Sequence, residues 1–340
     1  MKKGNWSILY AYNLRIVRDI FVYCARKEKV FMPDIYADMA KGIIAPPRDK
    51  WFQPQRKKKD RLGLEYVHAV DYLGFVRKAN EFLIPDFSEF REEKKAILAE
   101  NSRRQFKKRQ TVSPPFTERE KKALLPIVLN YERARDFLHW FLDFEKFKDI
   151  YSFNEITFRK FAEPIFILAK VNKGKKGSEF LRRDSDNYVW KIPDEYSRIA
   201  SYLFPDWFRD LGLIDEVIVF PEFSKDQKLW HMYYAIKISK NDFLKLQFNP
   251  LLKQVFAEEK KKRLWIPYLI YVIAKKYGCP VVAIKSALNN LYSESQEEFY
   301  LERVSMHLMK QKYKNSYVKI DGFFRSYILY DEVMDNEQEK

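Results

Sequence analysis

The sequence predicts an α+β protein that is mostly helical and consists of tandem modules, each with helices followed by a short β-ribbon. Only 9 of its 340 residues are glycine, whereas 46% are hydrophobic and 17% are aromatic. This composition favours helices around a large core and excludes extended disorder. Two helical patterns end at Leu-Gly pairs, Leu73-Gly74 and Leu211-Gly212, and a strand-like run follows each pair.

A hairpin near the C-terminus is the most specific element of this pattern. Residues 316–320 and 323–330 are rich in aromatic and β-branched residues, and Asp321-Gly322 between them favours a type I′ turn. The segment before the hairpin predicts three helices. They cover residues 263–277, 280–292 and 297–311, and the first of them ends at Gly278.

This order of helix, turn, helix, helix and ribbon resembles the winged-helix superfamily over residues 263–330. The resemblance implies that the third helix enters the major groove of DNA, as in other helix-turn-helix proteins. That helix would present Arg303 and Lys310, and Lys312 would lead into the wing. Acidic residues at its start repel phosphate, and winged helices also bind proteins, so a protein-binding role stays open.

The N-terminal region has a similar order with lower specificity. Apolar spacing predicts helices over residues 8–27, 33–40 and 62–73, and residues 75–84 form a ribbon that turns near Ala79-Asn80. We therefore expect a second winged-helix-like module here. The Leu-Gly stop near residue 212 suggests a third module of the same kind.

Composition shifts divide the chain into five predicted segments. Residues 111–115 end a charged helix as a proline-containing linker, and Thr117 with Glu120 has the spacing of a capping box. The predicted segments are an N-terminal winged-helix-like module (1–86), a basic helical linker (87–116), a central α+β module (117–250), a C-terminal winged-helix module (251–335) and an acidic tail (336–340).

The charge balance indicates a polyanionic partner. The chain has 63 Lys and Arg against 47 Asp and Glu, a formal net charge of +16, and basic runs contact phosphates without reading sequence. The residues predicted to bind nucleic acid are Arg56, Lys57, Lys58, Lys59, Arg61, Arg103, Arg104, Lys107, Lys108, Arg109, Lys173, Lys175, Lys176, Arg303, Lys310 and Lys312.

Cysteine usage and hydropathy bear on the compartment. Cys24 and Cys279 are too few for a disulfide framework or a zinc site, and we expect both to be small buried thiols in a reducing environment. No stretch has the length and apolarity of a transmembrane span. We expect a soluble, intracellular protein that is cytoplasmic or associated with the nucleoid.

An enzymatic alternative rests on carboxylates near a strand pair. A Mg²⁺-dependent restriction-type nuclease needs two acids and a lysine on adjacent strands, and Asp215, Glu216, Glu222 and Lys237 are the candidates. However, Ala235 occupies the position where the second acid is expected. The main hypothesis therefore assigns no catalytic residue, and Mg²⁺ enters only with the nuclease.

The function that these observations favour is double-stranded DNA binding by several modules. Recognition helices would enter major grooves while basic loops contact phosphates, in a recognition, initiator or regulator protein of a mobile element or a defence system. Besides the nuclease, the open alternative is a nucleic-acid-binding subunit of a larger nucleoprotein assembly. Recognition of RNA instead of DNA, the target sequence and the oligomeric state stay open.

Overall fold

The structure is a computed structural model in which the chain forms two compact units. It describes residues 11, 13–45, 59–106, 109–110, 112–132, 134–135, 138, 165–168, 179–182, 189–191, 203–219, 230–294, 298–304 and 317–330. The first unit contains residues 1–154 and 192–213, and the second contains residues 155–191 and 214–340. The predicted boundaries at residues 86 and 116 therefore fall inside the first unit.

The first unit begins with a helix, a short strand, two helices and a two-stranded ribbon. Its elements are α1 (Leu14–Lys27), β1 (Val30–Phe31), α2 (Met32–Ala40), α3 (Lys59–Tyr72), β2 (Val76–Ala79), β3 (Phe82–Pro85), α4 (Arg91–Glu100), α5 (Glu118–Asn130) and the helical residues 203–210, named α6. Both neighbours of β3 are antiparallel to it, and the strand order is β1-β3-β2.

The segment predicted to be a linker is anchored to α1 by a buried charge network. Arg18 donates to Glu120 at 3.2 Å and to the adjacent Asp19 at 2.9 Å, and all three residues are almost completely buried. Arg104 forms a two-bonded ion pair with Asp19, whose second oxygen also accepts from Ser113 at 2.8 Å. Two positive and two negative charges thus compensate each other, which makes their burial tolerable.

Glu120 also closes the capping box that begins α5. The Thr117 hydroxyl accepts from the Glu120 backbone, and the Glu120 carboxylate accepts from the Thr117 N–H at 2.8 Å. The same carboxylate accepts from the Asn101 amide at 2.6 Å, at the end of α4. The predicted capping box is confirmed, and one of its side chains joins α1, α4 and α5.

The second unit contains a five-stranded antiparallel sheet. Its strands are β4 (Ile165–Leu168), β5 (Glu179–Arg182), β6 (Val189–Lys191), β7 (Ile214–Val219) and β8 (Trp230–Ala235), in the order β6-β5-β4-β8-β7. The strand predicted after Gly212 is confirmed as β7. The third winged-helix-like module is not, because its strand belongs to this larger sheet and not to a ribbon of its own.

The C-terminal part of the second unit repeats the element order found at the N-terminus, with one additional strand, β10, after its third helix. A short helix, α7 (Lys240–Leu244), precedes α8 (Phe248–Glu259), β9 (Arg263–Trp265), α9 (Ile266–Tyr277), α10 (Val281–Glu294), β10 (Phe299–Arg303), β11 (Val318–Ile320) and β12 (Phe323–Tyr330). The last strand is again central, because β10 pairs with one edge of β12 while β9 and β11 pair with the other. A buried apolar cluster of α8, α9, α10 and this sheet forms the core.

The two repeats also agree in backbone detail. Each short first strand runs into a helix with proline in its first turn, in Lys29-Val30-Phe31-Met32-Pro33 and in Arg263-Leu264-Trp265-Ile266-Pro267. Positive φ values recur at three corresponding points. They follow the first helix at Glu28 (59°) and Lys260 (52°), follow the second helix at Gly42 (74°) and Gly278 (61°), and lie in the ribbon turn at Asn80 (54°) and Asp321 (48°).

The predicted C-terminal hairpin and the stop at Gly278 are confirmed, but two predicted helices are wrong in part. Residues 299–303, predicted within the third helix, form β10, because their apolar side chains Phe299 and Leu301 alternate and pack against β12. The first predicted helix starts at Ile266, since residues 263–265 pair with β12 as β9. The third helix of this module is therefore α10.

The apolar spacing of residues 156–171 is compatible with a helix, but the described part of this stretch is a strand. Residues 165–168 form β4, which lies between β5 and β8 in the large sheet. An uninterrupted run of apolar residues, here Ile165-Phe166-Ile167-Leu168, fits a sheet interior as well as a helix. Long-range pairing decided between the two.

Candidate nucleic-acid interface

The turn between α9 and α10 is held by the neighbouring sheet. Backbone groups of three positions in this turn are bound: the Gly278 C=O accepts from the Lys237 N–H at 2.7 Å, and the Cys279 C=O accepts from the Tyr234 hydroxyl at 2.8 Å. The Val281 N–H donates to the Asp215 carboxylate at 2.7 Å. A carboxylate at a helix N-terminus satisfies a free N–H and complements the helix dipole. The start of α10 is therefore fixed from outside its own module.

One face of α10 is left uncovered by the second unit. Val282 is 53% exposed, Asn289 and Ser293 are exposed, and Ser286 between them is half-buried. The spacing of four, three and four residues places them in one stripe along the helix. Asn290 flanks this stripe and is also exposed. We call these five residues the α10 stripe; none of them is charged.

Lys285 lies at the other edge of the α10 stripe and is half-buried. Burial lowers the pKa of its ammonium below the ordinary value, while the nearby Asp215 carboxylate acts in the opposite direction. Lys285 therefore lies close to an opposite charge within the second unit.

Positive charge lies instead on the ribbon beside α10. Arg303 and Lys319 are exposed, and the Arg303 guanidinium stacks 4.3 Å from the centre of the Phe323 ring, itself 50% exposed. The chain from Arg303 to Lys319 contains Arg303, Lys310, Lys312, Lys314 and Lys319 and no Asp or Glu. We call β10, β11, β12 and the intervening chain the second ribbon. Its charge suits a phosphate backbone.

The ribbon and the helix are in direct contact. The Arg325 guanidinium, in β12, lies 4.6 Å from the centre of the Tyr292 ring in the last turns of α10. Arg325 is paired with Arg303 across the strands. An extended ligand on the α10 stripe would therefore reach the cations of the second ribbon.

Three other cations of this part of the chain are paired with acids. Arg263 binds Glu302 at 2.5 Å. Two further pairs are Lys253 with Glu298 at 3.1 Å and Lys276 with Glu258 at 2.5 Å. Two of these acids, Glu298 and Glu302, were predicted in the third helix but lie before β10 and on β10, where they neutralise neighbouring cations.

In the first unit, α3 takes the place of α10. His68 and Tyr72 are exposed on it, with ring centres 6.3 Å apart, and Tyr72 also contacts Tyr131. The first ribbon, β2 and β3, exposes Arg77 and Lys78. Lys59 and Arg61, both predicted phosphate ligands, belong to α3, and their side chains lie outside the described residues.

The remaining predicted basic residues have different outcomes. Arg103 and Arg109 are exposed, as a phosphate contact requires. Arg104 does not fit the predicted phosphate contact, because its side chain is only 8% exposed and is bound to Asp19 within the buried charge network. Ten predicted residues lie outside the described residues, and the last two of them belong to the second ribbon: Arg56, Lys57, Lys58, Lys107, Lys108, Lys173, Lys175, Lys176, Lys310 and Lys312.

The nuclease candidates do not form a metal site in the described part of the chain. Asp215 caps α10, and Ala235, at the position of the missing acid, pairs with Ile214. Among the described residues, no three His, Cys, Asp or Glu side chains are grouped to hold a metal ion. Glu222 lies outside the described residues. The residues that are described do not fit the Mg²⁺ required by this alternative.

Sequence reasoning missed the α10 stripe and the ribbon cations Arg77, Lys78 and Lys319. The available signal was the shared run of a basic, an aliphatic and an aromatic residue before a helical proline, which marks Arg263–Trp265 as a strand. Reading that run as a strand moves the third helix from residues 297–311 to α10.

In the ranges that the structure describes, none of the helices combines the length and the apolarity needed to cross a bilayer. No protein-family model, curated protein or solved structure matches the chain.

Proposed function

We propose that this protein binds double-stranded DNA through two winged-helix modules, with α3 and α10 entering major grooves and the two ribbons contacting phosphates. The observation that carries the proposal is the repeated order of helix, strand, helix, helix and ribbon, with the last strand central in both sheets. In proteins with this order, the third helix reads the groove and the ribbon lies beside it.

Electrostatics supports a polyanionic ligand. The chain carries a formal charge of +16, and the stretch from Arg303 to Lys319 within the second ribbon contains five cations and no acid. The α10 stripe itself is uncharged. Cations that flank a neutral polar face suit a duplex, since the phosphates border the groove and the base edges form its floor.

The buried charge network changes the role of the basic segment near residue 104. Arg103 and Arg109 remain candidate phosphate ligands because they are exposed, whereas Arg104 joins this segment to α1. The segment therefore belongs to the first module, and its exposed cations would add to that module's phosphate contacts.

Salt-dependent binding tests the proposal. Fluorescence anisotropy of a labelled duplex is measured at several KCl concentrations for the full chain and for the Arg303→Ala/Lys319→Ala variant. We expect log K to fall linearly with log salt, and the variant to reduce the slope by about 2, at roughly 0.9 per lost phosphate contact.

A second double variant, which also removes two positive charges, is the control for the change in net charge. Lys261→Ala/Lys262→Ala removes two exposed cations next to Arg263, which pairs with Leu329. Leu329 lies six residues along β12 from Phe323 at the ribbon turn, about 20 Å away. The control should leave the slope nearly unchanged. A slope near zero for the unmodified chain, or equal effects of both variants, would refute ribbon-mediated DNA binding.

A further inference from the structure

We infer that the α10 stripe reads A·T base pairs in the major groove. This inference rests on the proposed function and adds a base preference to it. The stripe offers amide, hydroxyl and methyl groups from Val282, Ser286, Asn289, Asn290 and Ser293. Each base pair presents a distinct set of donors, acceptors and methyl groups in the major groove, so these groups do not fit all pairs equally.

Asn289 is central to this preference. Its amide has one acceptor and a donor group, which match the N6 amino group and the N7 atom of adenine in a bidentate contact. Asn290 offers the same groups from the flank of the stripe. Val282, 53% exposed near the start of the helix, provides methyl groups that can pack on the C5 methyl of thymine.

The serines are compatible with this reading. The Ser286 hydroxyl donates to the Val282 carbonyl at 2.9 Å and the Ser293 hydroxyl donates to the Asn289 carbonyl at 3.3 Å. With their protons used inside the helix, both hydroxyl oxygens present acceptor lone pairs to the groove. The adenine amino group is a donor and can form hydrogen bonds to these oxygens.

Groups that select G·C pairs are absent from the stripe. Guanine is read most often by arginine or lysine at O6 and N7, and cytosine by a carboxylate at N4. The only cation at its edge, among residues with described side chains, is Lys285, whose charge interacts with Asp215. Arg303 and Lys319 lie on the ribbon, where phosphates are the expected ligands.

The distribution of charge over the second ribbon and the α10 stripe favours DNA over a protein as the ligand. An acidic protein surface would satisfy the second ribbon but would meet no cation on the α10 stripe. A duplex offers both phosphates for the ribbon and polar base edges for the stripe. The contact between Arg325 and Tyr292 keeps the two surfaces side by side.

Selection from a duplex pool tests the base preference. The full chain is incubated with a randomised double-stranded pool at a salt concentration that suppresses non-specific binding, and the bound DNA is sequenced. We expect enrichment of an A·T-rich segment, and Asn289→Ala should weaken binding to the selected site by roughly five- to a hundred-fold. Asn241→Ala, the same change at an exposed site in α7, should have no such effect.

A change of specificity gives the sharper readout. Asn289→Asp retains the size of the side chain but replaces the amide donor by a second acceptor, which suits the cytosine N4 amino group. Selection with this variant should replace adenine by cytosine at one position and leave the others unchanged. If Asn289 had only a structural role, its replacement would not change the base that is selected at one position.

The outcomes separate the inference from the proposed function. Failure to bind any duplex would refute both. Binding with G·C-rich or random selected sites, or a selected site that is unaffected by Asn289→Ala and Asn289→Asp, would overturn A·T reading by α10 and leave DNA binding intact. Loss of adenine preference at one position in both variants would support the inference.

Discussion

The Asp215 carboxylate, in β7, accepts a hydrogen bond from the Val281 backbone N–H at 2.7 Å and so fixes the first turn of α10. Tyr234 and Lys237 bind the two carbonyls that precede this turn. The five-stranded sheet thereby sets the position of the helix that we propose as a DNA reader. A preorganised recognition element loses less conformational entropy on binding.

Replacement of Asp215 distinguishes a structural role from a catalytic one. We expect Asp215→Ala to lower the free energy of unfolding of the second unit by about 2 kcal/mol, because it leaves the Val281 N–H without its charged acceptor. Urea denaturation measures the change. Asp242→Ala, in the exposed first turn of α7, should cost less than about 1 kcal/mol. Unchanged stability, with loss of a DNA-cleaving activity, would instead favour the nuclease.

Replacement of the adjacent Arg103 and Arg104 should distinguish a residue that binds DNA from one that stabilises the fold. Arg104→Ala removes one partner of a buried ion pair, so we expect a loss of about 3 kcal/mol in the free energy of unfolding. Arg103→Ala, at an exposed site, should leave stability within about 0.5 kcal/mol and weaken duplex binding. Urea denaturation and fluorescence anisotropy of both variants test this. Similar stability losses would contradict the assigned roles.

The first ribbon should contribute phosphate contacts of its own. We expect Arg77→Ala/Lys78→Ala to reduce the salt slope of duplex binding by about 2, because both side chains are exposed next to the turn at Asn80. Lys41→Ala/Lys95→Ala is the matched control, since each of these exposed lysines is already paired with an acid. Equal slopes for both variants would remove the first ribbon from the interface.

Gly278 should tolerate no side chain. Its φ is 61°, and an added Cβ would lie 2.6 Å from the Lys237 Cγ, so Gly278→Ala combines backbone strain with a clash. We expect a destabilisation of at least about 2 kcal/mol. Gly74→Ala isolates the backbone contribution, because its φ is 72° and open space surrounds it, and should cost about 1 kcal/mol. Thermal denaturation of both variants measures the difference.

Because both thiols are buried, we expect the free energy of unfolding to fall at alkaline pH. Burial raises the pKa of Cys24 to about 12 and also raises that of Cys279, so neither thiol should react with a disulfide reagent at pH 8 until urea unfolds the chain. A raised folded-state pKa stabilises the protein below the ordinary value of 9.0, and this contribution is lost as pH rises towards about 12. Urea midpoints should therefore fall above pH 9, less so for Cys24→Ala. Rapid native-state labelling would contradict burial.

Local signals in the sequence were sufficient where neighbouring residues decide the conformation. Thr117 and Glu120 satisfy each other's backbone N–H groups, and Asp321-Gly322 closes a hairpin between strands of strongly β-forming composition. The capping box was predicted from spacing, and the hairpin from the Asp-Gly pair and the composition of its flanks. The expectation that Cys24 and Cys279 are buried is likewise confirmed, because apolar helical surroundings are visible in the sequence.

Long-range contacts decided the elements that the sequence misplaced. Residues 299–303 have a composition that is compatible with a helix, yet pairing with β12 makes them a strand. The third helix of the C-terminal module is therefore α10. Arg104 belongs to a basic run, but Asp19, 85 residues earlier, captures its guanidinium. Such partners are remote in sequence, so no local pattern reports them.

The sequence by itself determined an α+β chain of high positive charge with a C-terminal hairpin, because composition, caps and turns act over a few residues. Only the tertiary structure decided that one element order occurs twice, that Asp215 holds the start of α10, and which cations remain exposed. These properties depend on strand pairing and burial between distant segments, where the free energy of the whole unit overrides local preference.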